Sequence, residues 1–318
     1  MQCRFSRQQL LVVILTIGAL LLTGSKQKCA AQEGKKKTFA EPHWVDPNRG
    51  EPNGTKYRTF ESKTIGEEVS YLIWLPPQYE TESTRRFPVI YWLHGLGGNQ
   101  RGGAFTFLTR ASAAIGDGSL PPAIVVLVNG MVTSFYCDWA DGKRPMESVI
   151  IKDLIPHIDQ TYRTIAKREG RVIEGYSMGG FGAAHLGFKY PELFGAVAVD
   201  AGALILDRAI EGPNLAPIFQ GAFAGDKDRF NAEHPRNLVA KNANQIRDKQ
   251  QIRIGCGGED KLLPRNKDLD TLLTRLNIDH EYIVVEGVDH DAGQYYTKLG
   301  PKAFELHRKA FEGLGKSD

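Results

Sequence analysis

The sequence predicts an α/β fold, a mostly parallel central sheet with helices on both faces. Two patterns predict it. Short continuous apolar runs recur along the chain between glycines and prolines, as strands buried on both faces require. Between them lie stretches with apolar residues three and four apart, the spacing of helices packed on a sheet. Strands alternating with helices make parallel crossovers, and a parallel sheet needs cover on both sides. The 318 residues, 42% hydrophobic and 24% charged, suit one globular domain of this kind. No internal repeat and no second domain boundary is visible.

The first 31 residues stand outside that domain and read as an export signal. Arg4 and Arg7 form a basic start, residues 10–22 are almost wholly apolar, and Cys29-Ala30-Ala31 offers small residues for cleavage before Gln32. The apolar run is short for a bilayer span, which takes about 20 residues, so a retained anchor is the lesser reading. Lys26, Gln27 and Lys28 before Cys29 do not suit a lipoprotein site. The segment carries four basic residues and no acid, so its loss takes the formal net charge from +3 to −1. The basicity belongs to the signal, and no basic surface for nucleic acid remains. A secreted or periplasmic protein with no stable membrane insertion is the expectation.

Residues 32–57 are rich in Lys, Pro, Gly and Asn and read as a loosely packed arm. Within it, Asn53-Gly54-Thr55 is a glycosylation sequon. The main domain is then residues 58–318. Its strands are expected at residues 69–75, 88–93, 123–128, 196–199 and 282–285, and its helices at residues 147–162, 178–189, 268–276 and 301–311. Residues 201–250 exceed what a crossover needs and are expected to cap the site. Cys3 and Cys29 leave with the signal. Cys137 and Cys256 lack a staple pattern and read as buried thiols, a disulfide between them being the alternative for an exported chain. No metal-ligand spacing appears, and no cofactor is expected.

The chemistry centres on Val172-Ile173-Glu174-Gly175-Tyr176-Ser177-Met178-Gly179-Gly180. Strand-like residues run into Gly175 and a helix-like stretch follows Ser177, the context a G-x-S-x-G nucleophile elbow requires. That motif sharpens the fold class to the α/β-hydrolase fold, with Ser177 as nucleophile. The sharp turn strains the serine backbone and demands small neighbours two positions away, hence Gly175 and Gly179. It also aims the Met178 backbone N–H at the developing oxyanion. A second donor is expected from His94-Gly95-Leu96-Gly97-Gly98, the loop after an earlier strand, with Leu96 N–H as candidate. This loop has no G-K-[ST] ending, which excludes a phosphate loop.

A hydroxyl needs a base, and in this fold the chain order is Ser, acid, His. Of eight histidines, His290 follows the last strand at its carboxyl edge. His280 stands at that strand's entrance, His43 in the arm, His94 before the elbow, His157 and His185 in helices, His234 in the expected cap, and His307 on a helix face expected to be solvated. For the acid, residues 251–258 read as a strand ending in a glycine turn, which places Asp260 at its carboxyl end, with Glu259 and Asp268 as rivals.

Residues 58–312 resemble the esterase D-type, or Putative esterase, family, which includes feruloyl and acetylxylan esterases, S-formylglutathione hydrolases and mycolyltransferases. The matching blocks are Trp92-Leu93-His94-Gly95, Asp153-Leu154-Ile155-Pro156-His157-Ile158-Asp159, Gly175-Tyr176-Ser177-Met178-Gly179-Gly180 and His290-Asp291. The resemblance carries the family's serine onto Ser177, its acid onto Asp260 and its base onto His290. Asp289-His290-Asp291-Ala292 departs from the family's Gly-His-Asp-Trp, and Tyr295 or Tyr296 is the candidate for the lost aromatic contact. Residues 134–139 look like the equivalent loop of mycolyltransferases and formylglutathione enzymes. The expectation is an exported serine ester hydrolase acting on a small or polysaccharide-linked ester, acetyl or feruloyl. The alternatives are an acyltransferase of the mycolyltransferase type and a formylglutathione hydrolase-like thioesterase, and less so a non-catalytic binding protein.

Overall fold

The computed structural model describes residues 42–205 and 215–314. The export segment and residues 32–41 therefore lie outside the described residues. Eight strands form one sheet: β1 (Lys56–Ser62), β2 (Glu67–Trp74), β3 (Val89–Leu93), β4 (Ile124–Val128), β5 (Arg171–Tyr176), β6 (Ala196–Asp200), β7 (Gln251–Gly257) and β8 (Glu281–Val285). Their order is β1-β2-β4-β3-β5-β6-β7-β8. The hairpin β1–β2 joins β4 antiparallel, and every later pairing is parallel.

Side chains alternate across each strand, so a continuous apolar run feeds two cores. Along β3, Val89, Tyr91 and Leu93 face one core with Ile173, Val197 and Ile254, joined by Leu186, Phe188, Val239, Leu269 and Leu273 from overlying helices. Ile90 and Trp92 face the other core with Val172, Ala198 and Cys256, under Ala111, Tyr295, Tyr296, Leu306 and Phe311. The helices that matter below are Met178–Lys189, Leu263–Arg275, Ala292–Leu299 and Glu305–Phe311. Cys137 and Cys256 are buried free thiols.

Two readings need correction. β1 was not expected, because its apolar residues Tyr57 and Phe60 stand three apart and show no strand alternation. The described part of the arm is packed rather than loose: Asp46 is buried and bridges Arg101 at 2.8 Å, and the Asn129 amide donates to the carbonyls of His43 and Trp44. Asn53 of the sequon is engaged too, its amide donating to the Ala104 carbonyl at 2.6 Å. Within residues 201–250 the described helices form part of the β6–β7 crossover. The helix Pro235–Lys241 packs on Met178–Lys189, and Gly221 abuts the Trp139 ring. Residues 206–214 of the expected cap lie outside the described residues.

The elbow explains its glycines. A Cβ on Gly179 would lie 2.0 Å from the Leu93 carbonyl oxygen and 2.9 Å from that of His94; one on Gly175 would lie 2.3 Å from Gly179 backbone. Backbone cannot move aside as a side chain can. Gly179→Ala is therefore expected to cost about 1–3 kcal/mol, lowering Tm by roughly 3–10 °C. Gly116→Ala, which meets nothing within 4 Å, is the control. Thermal unfolding that found both variants equal to the parent would contradict this reading of the elbow.

Candidate active site

Ser177 sits between β5 and the helix Met178–Lys189 with φ 61° and ψ −115°, a conformation in which a side chain is strained. Three backbone bonds hold it. Its N–H donates to the Asp200 carbonyl at 2.9 Å, and its carbonyl accepts from Ala203 N–H at 2.9 Å and Phe181 N–H at 3.0 Å. The strain presents Oγ outward, 2.8 Å from His290 Nε2.

His290 lies in the loop after β8. Its Nδ1 is 2.7 Å from Asp260 Oδ2. Asp260 follows β7 through a glycine turn, and its side chain is fully buried, while the His290 side chain is 39% exposed. The loops after β7 and β8 are laced together: Gly258 N–H donates to Val285 and Glu259 N–H to Val288, each at 2.9 Å. Asp260 Oδ1 accepts the Leu262 N–H at 2.8 Å, which leaves Oδ2 for the imidazole. A carboxylate can only accept, so His290 holds its proton at Nδ1 and offers the Nε2 lone pair to the Ser177 hydroxyl. The three residues named from the sequence thus meet, in the order Ser177, His290, Asp260.

The rivals fall elsewhere. Glu259 is exposed, and Asp268 pairs with Arg265 on the helix Leu263–Arg275. His280 binds Asp270 at the opposite edge of the sheet, 2.9 Å away. His157 contacts the Tyr71 hydroxyl at 3.0 Å, and His234 the Ile205 carbonyl at 3.0 Å. In the family-like block of residues 153–159, Asp153 accepts from Ser62 and Thr64, and Asp159 pairs with Arg171, so the block braces the sheet. Asp291 of the His290-Asp291 match caps the helix Ala292–Leu299, accepting the Gln294 N–H at 2.8 Å.

The loop after β3 lies against the serine. A Cβ on Gly95 would come within 3.4 Å of Ser177 Cβ and 3.9 Å of Oγ. Buried His94 props the loop: Gly130 N–H donates to its Nε2 at 3.2 Å, so Nδ1 carries the proton and donates to the Gly95 carbonyl at 2.9 Å. Burial pushes the His94 pKa down to about 4, which keeps this strut neutral. Tyr136 OH donates to the His94 carbonyl, and Gly97 N–H to that of Val132. Leu96 is held one residue beyond Gly95. Met178 opens the helix after Ser177, where an N–H has no intrahelical acceptor.

Several features were not read from the sequence. The aromatic ring beside His290 is Tyr176, with centroids 5.2 Å apart, rather than Tyr295 or Tyr296. Those two are fully buried and point their hydroxyls into a charged cluster beneath the elbow. There Arg253 reaches Glu174 at 3.1 Å and Asp200 at 3.0 Å, all three fully buried. His307, expected on a solvated face, is fully buried with Nε2 2.6 Å from Glu174 Oε2. Burial pushes the His307 pKa down to about 3. It raises that of Asp200 to about 7, although Arg253 pulls the other way. Elsewhere, Glu147, His185 and Glu233 bring donor atoms within 4.8 Å of one another. The Lys189 ammonium already lies 2.9 Å from Glu147 and 2.6 Å from Glu233, so a resident cation serves that cluster.

Known proteins are similar to this chain in sequence or in fold. An esterase of Mycobacterium tuberculosis is 34% identical over 206 residues, covering 60% of this chain and 44% of its own. An endo-1,4-beta-xylanase/feruloyl esterase of Xylanibacter ruminicola is 31% identical over 182 residues, covering 54% of this chain and 24% of its own. The chain thus spans under half the length of these relatives. A ferulic acid esterase structure shares the fold with a TM-score of 0.69 at 22% identity, over 81% of this chain and 98% of that one. The family model described as Putative esterase matches residues 62–313, and the chain belongs to that family.

Proposed function

We propose that this protein is a serine carboxylic ester hydrolase working through Ser177, His290 and Asp260. The observation that carries the reading is the unbroken relay from Asp260 Oδ2 through His290 to Ser177 Oγ, with contacts of 2.7 and 2.8 Å. His290 Nε2 takes the hydroxyl proton as Oγ attacks the ester carbonyl. The carbonyl oxygen becomes an oxyanion, for which the N–H groups of Met178 and Leu96 are the proposed donors. The imidazolium, offset by the Asp260 carboxylate, returns the proton to the leaving alcohol, and an acyl-enzyme remains. Water then gives a proton to Nε2 and attacks the acyl carbon, and Ser177 leaves with that proton. The exposure of the His290 side chain supports water as the acceptor rather than a second alcohol.

Membership of an esterase family and likeness to proteins named feruloyl esterase support an acetyl or feruloyl ester on a polysaccharide as substrate. The basic start, the apolar run and Cys29-Ala30-Ala31 support export before action. A fluorophosphonate probe is expected to add once, on the peptide bearing Ser177. Acetylated xylan or methyl ferulate should be cleaved alongside p-nitrophenyl acetate. Intact mass and product analysis check both. An unlabelled protein inert on every ester would end the catalytic reading, and cleavage of p-nitrophenyl acetate alone would end the polysaccharide assignment.

A further inference from the structure

The geometry points to Asp200 as a positioning residue that registers the nucleophile against the base through Tyr295; the inference rests on the roles proposed above for Ser177 and His290. Asp200 ends β6 and grips two segments at once. Its carbonyl accepts the Ser177 N–H at 2.9 Å. Its Oδ1 accepts the Tyr295 hydroxyl at 2.7 Å. Tyr295 lies five residues beyond His290, on the helix that Asp291 caps directly after the base. One residue therefore ties the backbone of the nucleophile, through its carbonyl, to the helix that fixes the base, through its side chain.

The surroundings are built to hold that grip. Arg253 Nη2 holds both Asp200 oxygens, at 3.2 and 3.0 Å, and the Tyr296 hydroxyl spans Asp200 and Glu174 at 3.1 and 2.9 Å. Glu174 is itself three residues before Ser177 on β5. The charged and titratable groups facing Asp200 are thus Glu174, Arg253, Tyr295 and Tyr296, with His307 behind Glu174. Space is kept for the contact as well: a Cβ on Gly255, within β7, would fall 1.8 Å from the Tyr295 hydroxyl and 3.1 Å from Asp200 Oδ1. The Tyr295 ring also packs on Tyr176 at 5.7 Å, and Tyr176 in turn lies against His290. Buried ion pairs are poor sources of stability. A network of this cost placed under a strained elbow serves geometry, because small displacements of reacting groups are costly in rate.

Tyr295→Phe removes the one hydroxyl and keeps the ring. It is expected to lower kcat by on the order of tenfold with KM within about twofold, and to slow fluorophosphonate inactivation by the same factor. Asp200→Asn should show the same split and serves if the first variant folds poorly. Tyr282→Phe is the control, since that hydroxyl has no hydrogen-bond partner among the described residues. Rates are taken per titrated active site, so a loss of folded protein does not count. A kcat within twofold of the parent in Tyr295→Phe or Asp200→Asn overturns the inference, whatever Tm does. Ser177→Ala keeps the two claims apart: if it stays active the catalytic assignment fails, and if it is dead while Tyr295→Phe is unimpaired only the positioning role fails.

Discussion

Ser177→Ala is expected to lower kcat/KM on p-nitrophenyl acetate by about 10⁴- to 10⁶-fold, as losses of a triad nucleophile do. The substitution takes away one oxygen, whose hydrogen bond in the structure goes to His290. The backbone bonds to Asp200, Phe181 and Ala203 do not involve the side chain. Alanine meets the same φ of 61° as serine, so the strain of the turn is unchanged. The fold should therefore persist, with the far-UV spectrum and Tm close to those of the parent. The Met178 and Leu96 N–H groups proposed as oxyanion donors would remain, so some rate above that of water should survive. Turnover within tenfold of the parent would mean that another group attacks the ester.

The parallel half of the sheet was legible because its strands are buried on both faces and must be apolar throughout. β3, β4 and all of β6 before Asp200 show it. The elbow was legible because steric necessity writes it in glycine. What was hidden shares one cause, namely that burial cannot be read from residue type where charge is paired. Glu174, Asp200 and Arg253 lie in or at the end of strands expected to be buried, yet each alone passes for a strand-end or surface residue. Their joint signal was available: opposite charges inside neighbouring apolar strands have to meet one another. His307 misled because the last helix carries Arg308 and Lys309 beside it, and only the sheet shows which face is inside. The Tyr176 contact with His290 brings the end of β5 to the loop after β8, and no local pattern encodes that.

Asp260→Asn is expected to fold normally and lose about 10²- to 10⁴-fold in kcat/KM, as mis-oriented triads do. The reason lies in the fixed donor at the other oxygen. Leu262 N–H points at Oδ1 from 2.8 Å, so an asparagine there must keep its carbonyl oxygen toward Leu262. Its amide N–H₂ then faces His290 Nδ1, where the carboxylate Oδ2 had been. A donor at that place turns Nδ1 into the acceptor and moves the ring proton to Nε2. The histidine would present N–H to Ser177 Oγ in place of a lone pair and could not take the hydroxyl proton. The opposite rotamer sets N–H₂ against the Leu262 N–H, two donors in a site closed to water. Asparagine also lacks the charge that offsets the imidazolium. Glu259→Gln and Asp268→Asn change exposed or half-exposed carboxylates outside this relay and should each lose less than about tenfold. Steady-state kinetics on the three purified variants decides the matter: a large loss in Glu259→Gln beside a small one in Asp260→Asn would move the acid by one residue and leave Ser177 and His290 in place.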